Sequence, residues 1–345
     1  MTKEDMEIMR RFFDPRSVAV VGATDSPDRV GYNLLDSLVN GGFKGNIYPV
    51  HPKLKEILGI RVYPSCIDIP DQVDLVLIAL NQRDTIDVVE HCGKLGIKGA
   101  VSVAGGFRET GDEGRALEKR LVEISKKYGI KVVGPNTLGM MNLEVNLNAS
   151  FYPISLKKGN VSLISQSGGM GFSIIQKCSD EGLGINKFVG VGNRTVLEFS
   201  DYLEFLAEDP GTKVIGVFLE GVDDARRLVQ IAGEVARKKP VVMYKVGHSD
   251  AVNEATLTHT GSVAGPYQLF RDIFKQFGVL LADSVPELVA ACKALSLCRL
   301  PAGGQVGIYT YTAGPSIAAL DRLADREISI PGLAPETGRK IKAIL

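Results

Sequence analysis

From Ser17 onward, short runs of β-branched and apolar residues alternate with stretches whose apolar positions recur every three or four residues. An all-apolar run of five or six residues suits a strand buried on both faces, so the pattern predicts parallel strands joined by helices. The first series of predicted strands is Ser17–Val21, Gly45–Val50, Asp74–Ala79, Gly99–Val103 and Lys131–Val133, with helical periodicity over Asn33–Asn40, Thr85–Leu95 and Gly114–Lys127. A second series covers Asn160–Ile164, Asn186–Val191, Val214–Leu219, Val241–Lys245 and Gly278–Leu281, separated notably by helical Phe199–Ala207 and Asp224–Arg237. Between the two, Asn148–Lys158 reads as an irregular crossing with Pro153 and a Lys157-Lys158-Gly159 turn. Leu300–Gly304 reads as a linker, followed by a predicted strand Gln305–Thr310 and a helix near Ala318–Ala324, too little chain to close a third sheet. The predicted architecture is two doubly wound α/β units, 1–148 and 149–300, then a partial third subdomain or tail over 301–345.

Composition narrows the classes. The 345 residues agree with two to three domains, and 45% hydrophobic content with 38 Gly and 16 Pro is that of a globular protein rich in tight loops. Forty basic residues balance forty acidic ones, which excludes the electrostatic footprint of a nucleic-acid or anionic-membrane binder. The longest apolar run, Leu75–Leu80, is far shorter than the ~20 residues of a membrane span. Met1–Arg11 is charged and lacks the apolar core of a signal peptide. Five scattered cysteines form no C-x-x-C pair and read as reduced thiols of a cytoplasmic protein. No His, Cys and carboxylate cluster has zinc spacing, so no metal ligand is assigned.

Two glycine-rich turns carry chemistry. Val18–Gly22 followed by Ala23–Gly31 reads as strand, turn and helix start, where backbone N–H groups attract phosphate; of a G-x-G-x-x-G fingerprint only Gly22 is present. At the end of the second strand, where an NAD site carries an acidic residue, this chain has Lys53 with Lys55 nearby. A cation there suits a phosphorylated ribose, and NADP and the 3′-phosphate of coenzyme A fit equally; a solvated strand-end lysine is the plainer alternative. His51 reads as a loop residue. In the second unit Ser165-Gln166-Ser167-Gly168-Gly169 repeats the geometry with hydroxyls and glycines that suit an anion cradle, while Ser167 taken alone also fits a plain N-cap.

The segment Thr258-His259-Thr260-Gly261-Ser262 sets a histidine among small and hydroxyl residues, a poor design for a hydrophobic core and a good one for a loop where phosphate reaches the ring. An imidazole that accepts a phosphoryl group needs one free lone pair and a proton held on its other nitrogen, usually by a carboxylate. Glu220, at the end of the predicted strand Val214–Leu219, is the candidate partner, since strand C-termini of open α/β sheets face the ligand crevice. On composition alone the competing reading of His259 is a surface histidine without chemistry. His91 and His248 read as structural.

Seven segments in one order resemble the NDP-forming acyl-CoA synthetases and the alpha subunit of succinyl-CoA synthetase: Phe13–Ala23, Ile47–Lys53, Gly134–Gly139, Ser165–Gly168, Tyr202–Pro210, Leu219–Gly221 and Thr258–Ser262. Each is modest alone; together they are specific and cover nearly the whole chain. The resemblance implies a Rossmann-like CoA-binding domain, a flavodoxin-like domain of the succinyl-CoA synthetase type, and the start of a third α/β subdomain. It implies CoA phosphates near Gly22, Ala23, Thr24, Ser26 and Arg29, the ribose phosphate near Val50 and Lys53, and the pantetheine arm along Asn81, Gln82, Ala104, Gly105 and Gly106. Pro135, Asn136 and Thr137 would lie near the acyl group and thiol. His259 would be the phosphorylated residue, Glu220 its orienting carboxylate, and Ser165, Gln166, Ser167, Gly168 and Gly169 the phosphate cradle.

The implied reaction is acyl-CoA + NDP + phosphate ⇌ acid + CoA + NTP, through an acyl phosphate and phospho-His259. No stretch is left for a nucleotide-binding ATP-grasp domain. The expectation is therefore a separate beta-type subunit in a heterotetramer, supplying ATP or ADP and Mg²⁺, with a small carboxylic acid, phosphate and CoA as substrates. The chain departs from the family pattern at Ala79–Gln82, Gly192–Leu197 and Tyr309–Ser316, and the departures near Asn81 and Tyr309 motivate one alternative, a non-catalytic CoA- or acyl-CoA-binding module. Lys53 motivates another, an NADP-dependent oxidoreductase.

Overall fold

A computed structural model describes residues 1–152, 154, 156–247, 267–299, 303–326 and 328–344. His248 and His259 lie outside the described residues. Met1–Leu297 forms one compact unit and Cys298–Leu345 another.

In the first unit the chain opens with helix α1 (Lys3–Phe13), whose N-terminus is closed by a reciprocal Thr2/Asp5 capping box. A five-stranded parallel sheet follows, made of β1 (Ser17–Val21), β2 (Asn46–Val50), β5 (Leu75–Ile78), β6 (Gly99–Ser102) and β7 (Lys131–Val133), in the order β2-β1-β5-β6-β7. A small hairpin, β3 (Glu56–Ile57) with β4 (Ile60–Arg61), decorates it. Helices α2 (Val30–Asn40), α3 (Gln82–Lys94) and α4 (Asp112–Tyr128) make the crossovers. β1, β5 and β6 are apolar and buried along nearly their whole length, as a sheet covered on both faces requires.

The second sheet has seven strands in the order β14-β13-β12-β10-β11-β8-β9. Its parallel part comprises β10 (Lys158–Ser165), β11 (Ile185–Gly190), β12 (Val214–Leu219), β13 (Val241–Lys245) and β14 (Leu280–Ala282). The edge is an antiparallel hairpin, β8 (Gly139–Asn142) with β9 (Leu147–Ser150), paired to β11 through β8. Its second strand runs into the crossing expected at Asn148–Lys158, and the whole hairpin belongs to the second sheet because β8 pairs with β11. Helices α5 (Gly168–Asp180), α6 (Phe199–Glu208) and α7 (Ala225–Ala236) and the segments Tyr267–Gln276 and Val285–Leu297 cover its faces.

One apolar cluster runs across both sheets, from Val18, Leu75 and Val101 to Ile164, Val189 and Ile215. Helix α1 pins it: Phe13 stacks on Phe205 of α6 with ring centroids 4.8 Å apart, and Asn142 of β8 donates to the Phe13 carbonyl at 2.7 Å. A fully buried Phe contributes about 1.5–3 kcal/mol through burial alone, so this contact ties the two sheets into one body. Both sheets then present the C-terminal ends of their parallel strands as fixed edges.

In the second unit, helices Ala313–Ala324 and Pro335–Lys342 are joined by irregular chain. Among the described residues the predicted strand Gln305–Thr310 forms no ladder, only a bridge from Gln305 to Ser329. A strand needs a ladder of partners along its length, and here Tyr309 and Tyr311 stand almost fully in solvent.

Candidate functional site

At the C-terminal end of β10 the chain turns through Gln166 and Ser167 into α5. Ser167 is the N-cap of that helix, its hydroxyl accepting from the Met170 N–H at 3.3 Å. Ser165 is buried, and its hydroxyl donates to the Ser167 carbonyl at 2.8 Å, so it braces the turn from behind. A Cβ at Gly169 would meet no atom of the described residues within 4 Å, so none of them covers the helix N-terminus there.

Gln166 is the most constrained member of the turn. Its Oε1 accepts from the backbone N–H groups of Glu220 and Gly221, both at 3.0 Å. That fixes the amide's orientation and leaves Nε2 fully buried without a partner among the described residues. A buried amide N–H that is unpaired costs about 1–3 kcal/mol. The group is therefore a donor held ready, at the wall of a cleft of about 270 Å³ lined by Asn136, Thr137, Gln166, Ser167, Gly168, Gly169, Asn193 and Glu220.

The opposite wall is built by three interlocked loops. Gly134–Pro135 is a cis peptide, and Asn136 has a positive φ of 57°. The Asn136 N–H donates to the Ala104 carbonyl at 2.7 Å, and the Asn193 N–H donates to the Pro135 carbonyl at 2.9 Å. Gly192 (φ 55°) has to be glycine here, because a Cβ would lie 2.2 Å from the Pro135 oxygen. Thr137 is buried and donates to the Gly190 carbonyl while accepting from the Gly139 N–H, so its hydroxyl serves the fold.

Glu220 lies just past the end of β12, with its backbone held on both sides. Lys245, at the end of β13, donates from Nζ to the Glu220 carbonyl at 2.7 Å and to the Val246 carbonyl. Burial pulls the Lys245 ammonium down to about 8, against the opposing pull of the Glu220 charge. Neither Lys245 nor Asn193 was marked by the sequence as a site residue; both are polar residues at the ends of apolar strands, and that position was the available signal.

Residues expected at the first sheet gather along its C-terminal edge. Gly22 (φ 85°) sits where a Cβ would strike the Ala79 carbonyl at 2.6 Å, and Gly31 lets α2 approach that turn, since a Cβ there would lie 1.9 Å from the Gly22 oxygen. Ala23 is buried, Thr24 accepts from the Ser26 N–H, and Arg29 starts α2 without giving it a side-chain cap. Val50 ends β2 and receives the Gly22 N–H, and Lys53 is exposed beyond it. His51 takes the Lys53 and Leu54 N–H groups on Nδ1, a loop role. Asn81 spends its side-chain oxygen capping α3, Gln82 packs beside Gly106, and Ala104–Gly106 close the β6 end. None of these first-sheet residues lines the cleft itself.

Among the described residues, no group of three His, Cys, Asp or Glu side chains is placed to hold a metal ion. Likewise no described helix is long and apolar enough to cross a membrane.

Two domain families account for the architecture: residues 16–142 match the CoA binding domain, and residues 158–295 match the succinyl-CoA ligase like flavodoxin domain. The acetate–CoA ligase [ADP-forming] II subunit alpha of Pyrococcus furiosus is 39% identical over 334 residues, covering 97% of this chain and 72% of that one. The acetate–CoA ligase [ADP-forming] I of Archaeoglobus fulgidus is 41% identical over 337 residues, 98% of this chain but 49% of that longer protein. The solved dinucleotide-forming acetyl-coenzyme A synthetase 1 of Ca. Korarchaeum cryptofilum, in complex with phosphate and ADP, superposes with a TM-score of 0.93 at 36% identity, covering 98% of this chain and 73% of that one. Fold and site thus define a succinyl-CoA-ligase-type assembly of a Rossmann-like and a flavodoxin-like domain. The chain belongs to the ADP-forming acetate–CoA ligase alpha-subunit family.

Proposed function

We propose that this chain is the CoA-binding, phosphohistidine-carrying subunit of an ADP-forming acyl-CoA synthetase, an acid–thiol ligase. The observation that carries the reading is the single cleft into which Asn136, the Gln166–Gly169 turn and Glu220 all open. Phosphoryl and acyl transfer between oxygen and sulfur ask for positioning and for donors aimed at developing negative charge. Gln166 Nε2 and the N-terminus of α5 are such donors, and Glu220 offers the carboxylate that an imidazole N–H needs.

In this reading, phosphate bound at the Gln166–Gly169 turn attacks the thioester carbonyl. The carbon–sulfur bond breaks, CoA leaves as the thiol, and an acyl phosphate forms. The phosphoryl group then passes to His259 as the acid departs, and from phospho-His259 to a nucleoside diphosphate. The edge of the first sheet, from Gly22 through Lys53 to Gly106, holds CoA. The nucleotide and its Mg²⁺ belong to a beta-type ATP-grasp partner, with a heterotetramer as the assembly. The five free thiols, four of them buried, favour a cytoplasmic setting.

The test is phosphorylation. With partner subunit and radiolabelled ATP, the wild type is expected to gain an acid-labile label, and His259→Ala to gain none. Label that survives His259→Ala, or an active complex that never labels, would overturn the assignment.

A further inference from the structure

The cleft is polarised by a relay of four side chains that begins outside it. Glu109 and Glu118 are both carboxylates, and each takes one N–H of the Asn193 side-chain amide: Nδ2 lies 2.6 Å from Glu109 Oε2 and 2.8 Å from Glu118 Oε1. Two carboxylates can be met only by the amide nitrogen. The reverse orientation would set three acceptors against one another in a buried place, with Asn193 only 5% exposed. Asn193 Oδ1 therefore faces Asn136, from whose Nδ2 it accepts at 3.3 Å. This in turn fixes Asn136, whose Oδ1 is carried next to Gly105, 3.6 Å from where a Cβ on that glycine would sit.

The carboxylates are themselves held. Glu109 Oε1 accepts from the N–H groups of Gly106 and Phe107 at 2.7 and 3.2 Å. Burial alone would raise the Glu109 carboxyl, but the Asn193 amide and these backbone donors outweigh it and keep the group below its ordinary value. Burial pushes Glu118 up against the pull of Arg108, whose guanidinium lies 3.6 Å away.

Gln166, with its buried Nε2 donor, thus stands at the cleft, while Asn136 presents its fixed carbonyl acceptor beside Gly105, at the edge of the first sheet. A donor suits phosphate oxygens. An acceptor beside Gly105 disfavours them and suits an N–H. We infer that Asn136 Oδ1 accepts the hydrogen bond of the last amide N–H of the pantetheine arm, and that Asn193 is the positioning residue that holds it in this orientation. The inference rests on the CoA reading above and specifies which group of that substrate is recognised and by what. Its consequence is an address for each reactant: the thiol end arrives along Gly105 and Asn136, and the phosphate faces it from Gln166.

The test uses the complex of this chain with its nucleotide-binding partner, CoA, and a CoA analogue in which the terminal amide nitrogen is replaced by an ester oxygen. Loss of a buried neutral hydrogen bond corresponds to roughly a tenfold effect. The wild type is expected to bind CoA about tenfold tighter than the ester analogue by calorimetry. Asn136→Ala is expected to abolish that preference, and Asn193→Ala to reduce it to within about threefold, with KM for CoA rising more than kcat falls. Should Asn193→Ala fail to fold, Glu109→Gln and Glu118→Gln release the same amide and carry the same expectation. A wild type that binds CoA and the ester equally, or an Asn193 or Glu variant that discriminates like the wild type, overturns the relay. A complex that binds neither ligand overturns the CoA reading itself, so the two failures are distinct.

Discussion

The two glycine-rich turns are built on the same plan, strand, turn and helix, and they solve different problems. The Gly22 turn is made of close backbone approach: Gly22 lies against the Ala79 carbonyl, Gly31 against Gly22, and α2 starts at Arg29 without a side-chain cap. In the proposed reading it is a smooth edge for an extended ligand, running past Val50 and on to Gly105. The Gln166–Ser167 turn has a side-chain cap and a side-chain amide whose orientation is set from β12. It offers directed donors to a compact anion. A helix N-terminus alone does not specify a ligand; the side chains that are allowed or excluded around it do.

The sharpest way to break the comparison is to put a side chain where the first turn forbids one. Gly31→Val drives a Cβ into the Gly22 carbonyl, where the available distance is 1.9 Å. The expected result is loss of CoA binding by at least a hundredfold in calorimetry together with a strongly lowered melting temperature, because backbone cannot retreat as a flexible side chain does. Insertion of a Cβ at Gly169, where the second turn is open, is the matched control and should leave the melting temperature nearly unchanged.

Next in size is Gln166→Glu. The carboxylate keeps the shape but replaces the donor at Nε2 with an oxygen and sets negative charge against phosphate. Removal of one such donor costs about 10²–10³-fold in turnover in comparable sites, and a repulsive replacement is expected to do no better. Phosphorylation with labelled nucleotide reads the loss, while CoA affinity at the first sheet should stay within a few-fold of wild type.

Lys245 gives a smaller, pH-dependent signature. Its folded value, about 8, lies below the ordinary 10.5, so between these values the unfolded chain binds more protons than the folded one. Stability contributed at this site therefore rises as pH increases through that window, by about 1.4 kcal/mol per unit at most. Lys245→Met should remove that component, seen as a flatter dependence of denaturation midpoint on pH between 8 and 10.5. An unchanged slope would show that the ammonium is not the group responsible.

The smallest expected effect is Ser167→Ala. Loss of the cap costs about 1 kcal/mol, measured by chemical denaturation, and leaves the Gln166 donor in place. A loss of phosphorylation as large as that of Gln166→Glu would mean that the hydroxyl, and not the amide, is the main phosphate contact.

Much of this was legible in the chain. Apolar runs such as Val214–Leu219 and Val241–Lys245 coincide with β12 and β13, since a strand buried on both faces needs nothing beyond local composition to reveal it. The turn at Ser165–Gly169, Gly22, Lys53 and the carboxylate Glu220 were marked by residue type and by position at strand ends, and the other edge residues up to Gly106 by the resemblance alone. Helix α1 escaped notice because its charged surface hides Phe12 and Phe13, and Phe13 packs on Phe205 of α6, nearly two hundred residues away. The strand expected at Gln305–Thr310 shows the converse, an apolar run that finds no ladder among the described residues.

The sequence by itself determined the parallel α/β architecture and the order of the two domains, and it marked the glycine-rich turns as candidate anion sites, because strand periodicity and turn chemistry are local properties. Only the tertiary structure decided which way the amides of Gln166, Asn193 and Asn136 point. Their orientations are dictated by partners 54 to 84 residues distant, and an amide carries donor and acceptor in nearly the same shape, so nothing short of the assembled neighbours can tell its two ends apart.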